Sequence, residues 1–207
     1  MRIKSLISIV ALATALAGSQ AQASPVLTWG DGTFIPDANV QTVGWTFAAN
    51  QAINVSALDW YDPTPFNSQH TVDIWTSSGG LLGSACVGSG CVGSVYSGSY
   101  WSTPVSLSLA AGSYVIGGNA IPGEPWQYAW TIYATDPAIT YGNSVYALGS
   151  GTNFPNSPYG TGIVGPNFEI SSTPLPSTWL MLFSGFAGFG FLAYRGTKKN
   201  SAAIAAA

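Results

Sequence analysis

Between residues 40 and 170 the apolar positions fall in short runs of β-branched and aromatic side chains, separated by Gly, Pro, Asn and Ser clusters. No run has both helical period and helical length, so the pattern predicts strands over 40–47, 53–61, 71–76, 81–87, 105–109, 114–117, 128–133, 141–147 and 167–170. After His70, Val72 and Ile74 share one face of their strand and Asp73 takes the other; the segment Ser77-Ser-Gly-Gly80 then turns the chain into Leu81 and Leu82. The apolar phase switches between Val55 and Leu58, which predicts a bulge. Ala110-Ala-Gly112 reads as a further hairpin turn. Strands so short and so evenly spaced predict an all-β protein, an antiparallel β-sandwich that is jelly-roll-like.

The two ends break this pattern. Arg2 and Lys4 precede an apolar run from Leu6 to Leu16, and Ala21-Gln22-Ala23 has the A-x-A form of a signal-peptidase site, so 1–23 reads as a signal helix and Ser24 as the mature N-terminus. Near the other end a Pro-x-Pro hinge (Pro174, Leu175, Pro176) and Ser177-Thr178 lead into an uncharged run over 179–194, then Arg195, Lys198 and Lys199. As a helix that run is about 24 Å long against a hydrocarbon core of about 30 Å, a short single transmembrane helix. Trp179 and Tyr194 suit its two interfaces, and the basic cluster places the tail in the cytoplasm. The chain therefore divides into a signal peptide (1–23), a β-sandwich body (24–172), a sorting segment (173–199) and a low-complexity tail (200–207).

At Pro174, Pro176, Ser177, Thr178, Trp179, the Gly-rich span and Arg195, the chain resembles the PEP-CTERM sorting signals of bacterial surface proteins, with Leu175 where that family has Glu. The resemblance implies processing by an exosortase-type membrane enzyme. It also implies an inner-membrane intermediate and then delivery to the cell surface or to an extracellular, exopolysaccharide-rich biofilm matrix. Its logic parallels an anchor signal that is present in the precursor and removed from the mature protein. A second, weaker resemblance rests on Gly44-Trp-Thr-Phe47, His70 to Trp75, Gly80-Leu-Leu82 and Ala111 to Ile116, which are similar to a β-sandwich domain of unknown function in secreted bacterial proteins. That resemblance implies a fold and no activity.

Charge then changes the picture of the body. All five basic residues lie in the terminal segments and all eight acidic ones between them, so the exported body has no Lys or Arg. Phosphate-backbone binding needs such cations, which excludes nucleic acid as a partner.

Candidate chemistry is sparse. Cys86 and Cys91, in an exported chain, predict a local disulfide at a hairpin tip. His70 is the only histidine and no G-x-S-x-G elbow occurs, so His70 reads as structural and the protein as non-enzymatic. The carboxylates Asp59, Asp62, Asp73, Glu124, Asp136 and Glu169 could supply the pair a glycosidase uses, although their spacing does not select one. Asp31, Asp37, Asp59 and Asp62 read as loop acids serving turns rather than a calcium site, and no cofactor or metal is implied. Trp126, Tyr128 and Trp130 alternate, so an extended chain projects all three rings from one face. The expectation is a core face; the alternative is a platform for sugar rings, which makes the protein a carbohydrate-binding module with polysaccharide as its ligand. Further alternatives are an exported hydrolase and a membrane protein that keeps its tail.

Overall fold

A computed structural model describes residues 24–171, apart from 31, 37–38, 65–66, 130–131, 135 and 161, together with Phe186. The expected signal helix, sorting motif, transmembrane helix at 179–194 and low-complexity tail lie outside the described residues, as do Asp31, Asp37 and Trp130. The chain divides into two compact units, Met1–Ser171 and Ser172–Ala207, and the first carries the fold.

That fold is an antiparallel β-sandwich. Its strands are β1 (Leu27–Trp29), β2 (Gly32–Pro36), β3 (Gln41–Ala49), β4 (Ile53–Tyr61), β5 (Gln69–Thr76), β6 (Leu81–Gly88), β7 (Val95–Ser97) and β8 (Tyr100–Leu109). They continue as β9 (Gly112–Ala120), β10 (Pro125–Ala129), β11 (Ile132–Ala134), β12 (Ile139–Leu148), β13 (Ser157–Pro158), β14 (Gly162–Val164) and β15 (Pro166–Ile170). A six-stranded sheet in the order β13-β12-β3-β9-β5-β6 faces a four-stranded sheet in the order β15-β4-β8-β7, with smaller sheets β14-β10-β2 and β1-β11 beside them.

Alternation builds the core. Val43, Trp45 and Phe47 of β3, Val72 and Ile74 of β5 and Ile116 of β9 point inward from the larger sheet. They meet Val55, Leu58 and Trp60 of β4 and Phe168 of β15. Phe168 packs 5.7 Å from Trp45 and 5.0 Å from Phe47, and the Trp45 indole N–H donates to the Pro166 carbonyl at 2.8 Å, so one aromatic joins the two sheets and satisfies its only donor.

The bulge expected in β4 is present: the register against β8 shifts between Val55 and Ala57, which returns Leu58 and Trp60 to the inward face of Val55. The turn after Thr76 is also present, with Gly79 at φ +93°.

Three expectations are corrected. Ala110-Ala-Gly112 is not a hairpin turn, because β8 belongs to the four-stranded sheet and β9 to the six-stranded one; the segment is an arch between layers. Cys86 and Cys91 do form a disulfide, but it braces the crossing from β6 to β7, between edge strands of the two sheets, and not a hairpin tip. The strand expected over 128–133 is two strands, β10 and β11, which pair in different sheets.

Candidate functional site

Two polar clusters are built into this apolar frame, and sequence spacing announces neither. The first lies at one end of the sandwich. His70, at the start of β5, stacks on the Trp60 indole with ring centroids 3.9 Å apart and planes 10° apart. Its Nδ1 is 2.9 Å from the Asn119 carbonyl, which can only accept, so Nδ1 carries the proton and Nε2 presents a lone pair. Glu124 Oε2 lies 3.4 Å from that Nε2. Burial lowers the His70 pKa to about 4 and raises that of Glu124 to about 7, with Asp62 adding to the rise at Glu124, so the surroundings push both groups toward their neutral forms. Glu124 Oε1 is left with no partner.

Asp62 extends the cluster toward the surface. Its Oδ2 is 3.3 Å from the Trp101 indole nitrogen, which donates, and its backbone carbonyl accepts from the Tyr96 hydroxyl at 2.8 Å. Tyr96 and Trp101, both half-buried, pack 5.2 Å apart. Chain direction then runs from Glu124 straight into β10. There Trp126 stands opposite Ile35, and Tyr128 opposite Thr33 and Ile163, so the two occupy alternate positions on one face of the central strand of its sheet. The side chains of β10 lie outside the described residues.

The second cluster occupies the outer face of the four-stranded sheet. Asp59, expected in a loop, sits instead within β4 and is fully buried, since the bulge that turns Leu58 and Trp60 inward turns Asp59 outward, beneath other chain. In register it lies between Asn167 of β15 and Ser102 of β8. Desolvation raises its pKa to about 7; the Ser102 hydroxyl opposes this in part and the Glu169 charge adds to it. Neither carboxyl oxygen of Asp59 completes a hydrogen bond. Beside it, burial raises the pKa of Tyr100 and of Glu169.

The cover over this face comes from the N-terminal segment. Pro25 forms an antiparallel bridge with Glu169, and Val26 N–H donates to the Phe168 carbonyl at 2.9 Å. The Asn167 amide then imitates a backbone: Leu27 N–H donates to its Oδ1 at 3.3 Å and its Nδ2 donates to the Leu27 carbonyl at 2.9 Å. Trp29 completes the lid against Tyr61 at 4.8 Å and Tyr100 at 5.9 Å.

Of the carboxylates, the fold thus brings Asp62 near Glu124 and Asp59 near Glu169, while Asp73 lies on β5, buried, with Oδ1 unpartnered. Among the described residues no group of three or more His, Cys, Asp or Glu is placed to hold a metal ion, and no helix is long and apolar enough to cross a membrane. The sequence signal nearest to the clusters is a carboxylate inside a strand whose apolar phase switches, as at Asp59.

Fold and clusters together define a disulfide-braced antiparallel β-sandwich with buried carboxyl sites in a body that lacks Lys and Arg. Residues 30–163 match the domain of unknown function DUF4082, and the chain belongs to that family. No curated protein and no solved structure matches it.

Proposed function

We propose that this protein is an exported, non-enzymatic, jelly-roll-like β-sandwich that is sorted to the cell surface or extracellular matrix through signal peptidase and an exosortase-type enzyme. The observation that carries this reading is the Cys86–Cys91 disulfide, in a body whose flanking segments hold every Lys and Arg of the chain. A disulfide persists in an oxidising compartment. The terminal segments have the order of an export signal and a removable anchor. Intact mass of the surface form tests it: the expected product begins at Ser24 and has lost the basic cluster Arg195, Lys198 and Lys199. Recovery of a chain running through Ala207 removes the exosortase step and leaves a single-pass anchor.

A second reading, that the sandwich binds polysaccharide, is favoured by the half-buried Tyr96 and Trp101 beside Asp62 and Glu124. Aromatic faces and carboxyl acceptors, with no competing Lys or Arg, suit the apolar faces and hydroxyls of a neutral sugar. Retardation in affinity gels that contain matrix polysaccharide separates a glycan reader from a scaffold.

A further inference from the structure

The outer-face cluster is acidic throughout and has a chain end beside it. Glu169 is half-buried, next to the fully buried Asp59, and the body around them contains no Lys or Arg. Among the described residues, Tyr61 and Tyr100 are the other titratable groups beside this cluster, and neither can supply positive charge. Opposite Glu169 in register stands Pro25, held there by the Val26 N–H bond to Phe168, so the backbone nitrogen of Ser24 lies one residue from the Glu169 position. An extended residue spans only about 3.5 Å, well within the reach of a glutamate side chain. While the chain continues into Ala23 that nitrogen is a neutral amide. Hydrolysis of the Ala23–Ser24 peptide bond by one water converts it to an amine, which takes up a proton, and leaves a carboxylate on Ala23.

We infer that the α-ammonium created at Ser24 by this cut is the cation that Glu169 is positioned to receive, so that removal of the leader supplies the sole fixed positive charge of the body and locks the N-terminal strap over Asp59. The inference rests on the export reading for its biological setting, but the site itself is chemical and is tested without export. Sequence and fold both contribute. The A-x-A motif sets the cut at Ser24, and the bridge to β15 sets where the new terminus lies. An N-terminus several residues longer carries its charge along the chain away from the carboxylate.

The absence of lysine from the body makes the measurement direct. In the chain Ser24–Ala207 held in detergent, with Lys198→Arg and Lys199→Arg, the α-amine is the only primary amine, and reductive methylation with a carbon-13 label reports its titration as a single signal. A free α-amine titrates at about 7.7–8.0. The expected result is a midpoint higher by about one pH unit in the Ser24 chain. It should return to the ordinary range in Glu169→Gln, and also in a chain that begins at Ala21, whose amine is three residues farther along the sequence. An ordinary value in the Ser24 chain overturns the inference, and so does a raised value that survives both changes. If Glu169→Gln does not fold, the comparison of Ser24 with Ala21 in the native carboxylate background decides alone. Failure of the export reading has a different signature, a cellular product that does not begin at Ser24, and leaves the amine titration unchanged.

Discussion

Asp59 shows how one side chain sets the response of the protein to pH. Its pKa is raised from 3.8 to about 7 by burial, so the folded state holds a proton that the unfolded chain releases at lower pH. Stability from this group is therefore full below pH 3.8 and is lost as pH rises toward 7. Glu124 acts in the same direction over a similar window, discounted because it is partly solvated. His70 acts oppositely: its folded pKa of about 4 lies below 6.5, so its contribution is present above 6.5 and is lost as pH falls. Two carboxyls outweigh one imidazole, and thermal melts should show stability declining from about pH 4.5 to pH 7.5. Asp59→Asn, which keeps the shape without the charge, should leave the pH 4 melt nearly unchanged. At pH 8 it should raise Tm by roughly 10 °C, since ionising a carboxyl that the fold holds at about 7 instead of 3.8 costs on the order of 4 kcal/mol. Equal melts of wild type and variant at pH 8 would show that Asp59 is not the group responsible. At the same scale, a Cβ on Gly118 would meet the Trp60 ring at 2.7 Å, so Gly118→Ala should cost about 1–3 kcal/mol in chemical denaturation by pushing Trp60 off His70.

Among the elements, the crossing between β6 and β7 and the strand β10 carry the informative tests. The disulfide closes a loop with a sequence separation of 5, so the chain-entropy gain is small, about 2 kcal/mol. A Cys86→Ser, Cys91→Ser double variant should fold with that loss and keep the Thr103 hydroxyl bond to the Cys86 carbonyl. Labelling of both thiols in the native protein would contradict an oxidised pair. For β10, Ala at Trp126 or Tyr128 should cost about 3–5 kcal/mol if the rings fill the core. A stable Trp126→Ala protein that has lost retention in a polysaccharide gel would instead make that face the ligand platform. Strand identity is legible at this scale: the pattern predicts 53–61 and β4 is Ile53–Tyr61, because alternation and the bulge are written in consecutive residues. The short strands β1, β2, β7, β13 and β14 are not legible in the pattern, since two to five residues carry too little periodicity to distinguish them from loop.

For the whole molecule, the family match covers 30–163, yet the strap from Pro25 to Trp29 and the strand β15 lie outside it and close both the core and the Asp59 cluster. Truncation to the matched segment alone should therefore expose Trp45 and Phe47, and the product should aggregate or bind a hydrophobic dye where the chain from Ser24 does not. Alternation, turn residues and the placement of charge are local properties, so the order of residues is enough to settle the all-β class, most of the strands, the β4 bulge, the Cys86–Cys91 partnership and a body free of Lys and Arg. Which strands share a sheet is decided elsewhere. The arch at Ala110 and a hairpin turn use the same small residues, and only the packing of β8 and β9 into opposite layers distinguishes them. The pairs Asp59 with Glu169 and His70 with Glu124 likewise exist only because distant strands are brought side by side. Their altered acidities come from burial, a property of the surrounding layers that no neighbouring residue in the chain encodes.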